Sequence, residues 1–257
     1  MWRVPWYAVI AMGVLTMSGC AVLGPESHIP PFARVPYASF SRAAVVAVAL
    51  REWRLFGQKE GDEPGPGKPE RDEGLWQRVG EYWWIGQDPD AREVSWTGKH
   101  DETGTIFSAT EDGNYAWSAA FISYVMRVAG AGSRFPYAPN HSTYINIAAA
   151  HASNALQAYP PQTYAPMPGD LICHGRGRAA ALRYDDLPTE ALFPAHCDIV
   201  VDIARPGMIG VIGGNIGDAV TLRHVPVTAS GRLAGPDGVV LDQRQTWMAV
   251  LRVVEGG

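Results

Sequence analysis

At residues 166–170, PMPGD, the hydrophobic rhythm of the chain changes, and this change limits the fold more than any other feature. Upstream, apolar residues recur at the three-to-four-residue spacing of helices. Downstream they alternate in twos, as on strands that bury one face. Helices that come first, followed by an uninterrupted run of strands with no βαβ alternation, predict an α+β domain whose sheet is antiparallel. Apolar residues make up 47% of the chain, enough for a real core, and 28 Gly and 20 Pro favour loops over a plain bundle.

The elements follow from their punctuation. ASFSRAAVVAVALREWRLFG, 38–57, offers Ser39 or Ser41 as a cap and Gly57 as a stop, and reads as a first helix. KEGDEPGPGKPERDEG is charged and rich in Gly and Pro, hence an exposed loop. LWQRVGEYWWIG, 75–86, is a second helix whose Trp76, Trp83 and Trp84 serve as core or as the wall of a groove. A third helix runs from about Tyr115 to Val128 and ends at Gly130. A fourth starts at a cap between Asn140 and Ser142 and continues through Ala-rich sequence to about Ala158. LICHG, HCDIVVDIA, MIGVIGG, AVTLRHVPV and WMAVLRVV are the strands.

Residues 1–20 have a basic start at Arg3, an apolar stretch to Leu15 and small residues before Cys20. This is the layout of a secretory signal, too short for a comfortable membrane span. Its ending, LTMSGC, resembles the cleavage box of bacterial lipoproteins, in which the Cys becomes the lipidated N-terminus. The resemblance implies a lipid anchor on Cys20. With Ala rather than Asp at position 21, it also implies the outer membrane, facing the periplasm. Pro-rich residues 21–37 read as a tether, leaving 38–257 as the folded domain. With Cys20 lipidated, Cys173 and Cys197 remain, both on strands. They form either a cross-strand disulfide or two small buried thiols.

A net charge of −5 with no basic stripe argues against nucleic acid as a partner. No HExxH, paired CxxC, Walker or Rossmann pattern appears, so neither a metal site nor a cofactor is expected. The chemistry-bearing residues are scattered. In NYAWSAAFISYVMRVAG, Ser118 follows Trp117 at a helix start, where free backbone N–H groups and the positive end of the helix dipole converge. A hydroxyl there either satisfies one of those donors or is a nucleophile whose oxyanion they stabilise. A serine nucleophile needs a base. His196 opens the strand HCDIVVD, Asp198 lies two residues on along the same face, and Asn215 follows the next strand. Either Asp198 or Asn215 would orient the ring. His141, in PNHSTYI, lines the site or caps the fourth helix. Arg176 and Arg178 read as exposed loop charges or as partners of an anionic substrate, and Asp185 and Asp186 as a turn.

The order Trp117-Ser118-Ala119-Ala120-Phe121, then Pro168-Gly169-Asp170-Leu171, then His196 with Ile199 and Val200, then Gly214-Asn215 resembles the papain-like hydrolases of the CHAP and NlpC type. In those a Cys stands where this chain has Ser118, and CHAP members carry an acidic residue where it has Gly213. WSAAFISYVMRVAGAGSRFPY, HSTYINIA, PGDLICHGR, YDDLP, FPAHCDIVV and IGGNIGDAVTLR together resemble the bacterial family catalogued as domain of unknown function 2272, over roughly residues 40 to 254. The papain-like resemblance implies helices packed on an antiparallel sheet and a cleft walled by Trp117 and second-helix aromatics. It also implies amide or ester hydrolysis of a cell-wall peptide or other envelope substrate, with Ser118 attacking, His196 as base and Asn215 or Asp198 holding the ring. The rival implication is a cleft that binds wall peptides without cutting them.

Overall fold

The computed structural model describes residues 39–61, 67–88, 90–108, 111 and 114–255. The expected signal peptide, tether and Cys20 lie outside the described residues. Among the described residues four α-helices precede a six-stranded sheet: α1 (Arg42–Leu55), α2 (Leu75–Gly86), α3 (Ser118–Val128) and α4 (His141–Ala149). The strands are β1 (Leu156–Tyr159), β2 (Leu171–Gly175), β3 (Ala195–Asp202), β4 (Met208–Gly213), β5 (Thr221–Pro226) and β6 (Trp247–Val253). Their spatial order is β1-β6-β2-β3-β4-β5, with every neighbouring pair antiparallel. No helix among the described residues is long and apolar enough to cross a membrane.

Local chemistry sets the helix ends. Ser41 caps α1 by accepting from the Ala44 N–H at 3.1 Å, and Asn140 caps α4 by accepting from the Thr143 N–H at 3.0 Å. The third helix begins at Ser118, three residues later than its apolar pattern suggests. The fourth ends at Ala149, and residues 156–159 form an edge strand instead of its continuation. His151 takes a left-handed φ of 56°, and the Ser153 hydroxyl accepts from the Ala155 and Leu156 N–H groups. That turn ends the helix. Leu156 and Ala158 are then buried in alternation against β6, so tertiary pairing overrides the helical propensity of an Ala-rich run.

The helices cover one face of the sheet. Cys173, Cys197, Ile199, Ala249 and Leu251 of that face share a core with Val45, Ala49, Phe121, Ile122 and Tyr144. The other face carries a smaller core of Ile172, Val200, Val211, Val250 and Trp247, covered by Val227 and Leu233 from the segment before β6. Helices α2 and α3 meet at Gly86, where a Cβ would lie 2.6 Å from the Ala120 carbonyl oxygen. Beside this crossing, buried Glu52 accepts from Arg78, Tyr82 and Arg51. Burial alone would raise its pKa, but Arg78 holds the carboxyl below its usual value.

Asp170 of the PGD turn joins distant pieces: its buried carboxylate accepts from the Met167 and Val253 N–H groups and from Tyr164, with Arg42 of α1 3.4 Å away. The preceding Gly169 has φ +95° and a Cβ there would meet Arg42 at 2.6 Å, so both conformation and space demand glycine. The charged loop after α1 is less exposed than its composition suggests. Residues 59–61 lie along β5, and Glu70 is buried.

Candidate functional site

Cys173 and Cys197 form a disulfide between β2 and β3, where they stand directly opposite each other. In antiparallel register the next pair outward is His174 and His196, also directly opposite, with ring centroids 5.6 Å apart. This brings two imidazoles together at one end of the sheet, where β2 ends and β3 begins. His174 was not singled out from the sequence. The signal was present in the mirrored dipeptides CH and HC: once the cysteines pair, the histidines must too.

His196 Nε2 lies 3.0 Å from Asp198 Oδ1. The two residues share a face of the strand and do meet, because the carboxylate is held from its other side by Arg223 of β5. Burial would raise the Asp198 pKa, but Arg223 and His196 together hold it well below the usual carboxylate range. The carboxylate is therefore ionised and can only accept, so His196 carries its proton on Nε2. Nδ1 is left as a lone pair, buried and with no hydrogen-bond partner among the described residues. Burial lowers the His196 pKa, and the ring is neutral at pH 7.

Gly213 explains why there is room for this arrangement. A Cβ at 213 would lie 1.9 Å from Asp198 Oδ1 and 2.9 Å from His196 Nε2. The Asp198 carboxylate fills the space that a side chain at 213 would occupy.

Ser118 is the first residue of α3, with Trp117 as a cap that offers no side-chain bond. The first intrahelical bond runs from the Phe121 N–H to the Trp117 carbonyl, leaving the N–H groups of 118–120 without helical partners. The Ser118 hydroxyl is hydrogen-bonded to His141 Nε2 at 2.7 Å, and His141 Nδ1 to the Tyr144 hydroxyl. Asn140 does the capping, which frees the His141 ring for this contact. The ring in turn lies 5.3 Å, centroid to centroid, from that of His196. Burial and the neighbouring His196 push the His141 pKa well below its ordinary value, so it too is neutral. Thus Ser118 and His196 belong to one cluster, but they are joined through His141 and are not hydrogen-bonded to each other.

Proton counting fixes the direction of the bonds. The Tyr144 phenol is fully buried and raised in pKa by burial, so it keeps its proton. Each hydroxyl has one ring nitrogen as its partner; the Tyr144 hydroxyl, fully buried where Ser118 keeps slight exposure, is the costlier one to leave undonated, and it donates to Nδ1. His141 then carries its own proton on Nε2 and donates to Ser118 Oγ. The cluster is left with one unplaced donor, the Ser118 hydroxyl proton, and one unplaced acceptor, His196 Nδ1.

A pocket of about 370 Å³ opens at the strand ends. His174, His196, Arg176, Asn215, Arg223 and Gln245 line it. Asn215, held at φ 57°, faces the same pocket as His196, but Asp198 takes the ring nitrogen for which Asn215 was the other candidate. Ser118 and His141 are each 3% exposed and do not form its walls.

Trp117 is not a cleft wall. It is 1% exposed, packs between Phe56 and Tyr82, and donates from Nε1 to buried Glu70 at 2.5 Å. Of the α2 aromatics, Trp83 is buried against Trp96, Trp76 stacks with His100 and Lys99, and Trp84 is exposed. None of the three lines the pocket. Asp185 and Asp186 form the expected turn, with Asp186 accepting from the Arg183 N–H.

No curated protein and no solved structure matches the chain. One family does, over residues 70–253, a span that contains every member of the Ser118–His141–His196–Asp198 cluster and the pocket beside it. The chain belongs to the family described as "Uncharacterized protein conserved in bacteria (DUF2272)".

Proposed function

We propose that this chain is a hydrolase of the papain-like type that cleaves an amide or ester bond in a cell-envelope substrate, with peptidoglycan peptides the favoured class. The observation that carries the reading is the pairing of orphans described above. Ser118 has a hydroxyl proton with no acceptor, His196 Nδ1 is an acceptor with no proton, and both belong to one buried cluster. Gly213 adds support. CHAP-type enzymes carry an acid at that position, and here a side chain at 213 would point at His196 Nε2, where Asp198 supplies a carboxylate from the neighbouring strand.

In the acylation step Ser118 Oγ turns from His141 and bonds to the substrate carbonyl carbon while its proton passes to His196 Nδ1. Asp198 stabilises the resulting imidazolium, and Arg223 keeps Asp198 ionised. The N–H groups at the start of α3 and the His141 Nε2–H are the donors for the oxyanion. The carbon–nitrogen or carbon–oxygen bond then breaks as Nδ1–H gives its proton to the leaving group. Water reverses the sequence and regenerates Ser118. Cys20 would tether this activity to the outer membrane on its periplasmic side.

One observation favours a second reading, a protein that grips wall peptides without cutting them: Ser118 is buried and is not among the residues that line the pocket. A serine-directed fluorophosphonate probe separates the two. The first reading expects labelling of the wild type that is lost in Ser118→Ala and His196→Ala. Absence of labelling in every form, with muropeptide binding retained, refutes it in favour of the second. Activity gained by Ser118→Cys would show that the cleft still admits substrate.

A further inference from the structure

The pocket beside His196 has a definite chemical complement. Among the described residues that line it, Arg176, on the segment that follows β2, is a cation with no ion pair. The guanidinium makes no hydrogen bond or ion pair among the described residues, although it lines the pocket. The other wall cation, Arg223, is already committed to Asp198. No carboxylate among the described residues lines the pocket. His174 Nδ1 lies 3.0 Å from the Gly175 carbonyl oxygen, which can only accept, so Nδ1 carries the ring proton and donates it there, and Nε2 is left as an acceptor. The Asn215 and Gln245 side-chain amides form no side-chain hydrogen bond among the described residues and supply both donors and acceptors. At Gly177 an added Cβ would meet nothing within 4 Å, so this part of the wall carries no side chain and a peptide backbone can lie close.

One positive charge, one imidazole acceptor and two amides match a peptide end: a carboxylate, the N–H of its residue, and the preceding carbonyl. A guanidinium recognises a carboxylate through two parallel N–H bonds, a geometry that an ammonium or an amide does not reproduce. We infer that this pocket is a subsite for the free C-terminal carboxylate of a peptide, with Arg176 as the residue that reads it. Taken with the hydrolase reading, on which this part rests, the scissile bond lies next to the free end and the enzyme acts as a carboxypeptidase. Arg176 is then a specificity residue and takes no part in bond breaking.

The test uses the full chain and N-acetyl-dialanine, in L,L and L,D forms, each as the free acid and as the C-terminal carboxamide. Binding is measured by calorimetry, and cleavage by release of alanine or alaninamide. For at least one stereoisomer the wild type should bind the acid about tenfold or more tightly than the carboxamide. Arg176→Gln should bring acid and carboxamide to equal affinity, and Arg176→Lys should keep part of the preference. No binding, no preference in the wild type, or a preference untouched by Arg176→Gln overturns the inference. So does inorganic phosphate competing as well as the dipeptide acid, which would mark a general anion site. A preference without alanine release leaves the subsite standing and sinks the hydrolase reading. Alanine release without a preference does the reverse.

Discussion

Replacing Gly213 by Ala tests the Asp198–His196 brace more directly than removing either of its members. The added methyl carbon would lie 1.9 Å from Asp198 Oδ1, 2.6 Å from Ile216 Cδ1 and 2.9 Å from His196 Nε2. Ordinary contact between such atoms is about 3.5 Å, so the carboxylate must retreat by well over ~1 Å. Asp198 is fully buried and is held from its other side by Arg223. Moving directly away from the methyl group carries Oδ1 away from His196 Nε2 as well, so their 3.0 Å bond opens beyond hydrogen-bonding range. Overpacking a tight core costs about 1–3 kcal/mol, and breaking a buried ion pair outright about 3–5 kcal/mol. Arg223 still holds the displaced carboxylate, so the combined loss should be about 3 kcal/mol. With a urea slope of about 2 kcal/mol/M, the midpoint falls by about 1.5 M with the slope unchanged.

The stability loss alone would not establish the brace. Gly214→Ala provides the control, since its methyl would strike Phe121 Cβ at 2.6 Å and Trp117 Cζ3 at 2.9 Å, on the α3 side. It too should destabilise, but it leaves His196 bonded to Asp198. The side-chain nitrogen resonances of His196 separate the two. In the wild type and in Gly214→Ala the proton stays on Nε2; in Gly213→Ala the ring loses that preference and labelling of Ser118 falls with it. A Gly213→Ala protein within about 0.5 kcal/mol of wild type, with the His196 tautomer unchanged, would refute the account of why glycine stands there.

Two further outcomes follow from the same contacts. Burial lowers His174 from 6.5 to about 4, so on acidification the unfolded chain takes up a proton before the folded one does. Between pH 8 and pH 5 stability should fall by about 2 kcal/mol from this residue alone. His141 and His196 add to the loss with the same sign, whereas Asp198, whose folded pKa is depressed, withdraws stability only below its ordinary range near 3.8. Urea midpoints that stay flat from pH 8 to pH 5 would contradict this. Removing the disulfide as the Cys173→Ala, Cys197→Ala pair releases a loop of sequence separation 24 and should cost about 3 kcal/mol by loop-closure entropy. A loss under about 1 kcal/mol in urea would show that strand pairing, and not the crosslink, restricts this part of the chain.

The helices and strands were readable because each carries its own punctuation. The second helix begins and ends where LWQRVGEYWWIG does, between Gly74 and Gln87, and all five expected strands form. The edge strand β1 was not readable. Residues 150–158, AHASNALQA, favour a helix locally, and the competing term is pairing with β6, about a hundred residues later in sequence. A propensity of a few tenths of a kcal/mol per residue loses to burial of Leu156 and Ala158 in the sheet. Trp117 fails as a groove wall for a related reason. Sequence marks it as large and aromatic next to Ser118, but only the fold shows that Glu70 waits for its indole N–H inside the core.

The site was half legible, and the division has a physical cause. Residues whose partners are set by strand alternation or strand register follow from the sequence. His196 and Asp198 share a face, and the Cys173–Cys197 pairing fixes His174 opposite His196. Residues whose partners are set by how helices dock do not follow. Nothing in PNHSTYI says that His141 reaches Ser118 while Asn140 takes the cap, or that Tyr144, one turn further on, holds the other side of the ring. The same distinction accounts for the acid. Asp198 and Gly213 lie on adjacent antiparallel strands, one step beyond the Ile199–Ile212 pair, so their side chains would compete for one volume. Only one of the two positions can carry the carboxylate. Glycine at 213 thus makes room for the carboxylate that Asp198 brings from the neighbouring strand.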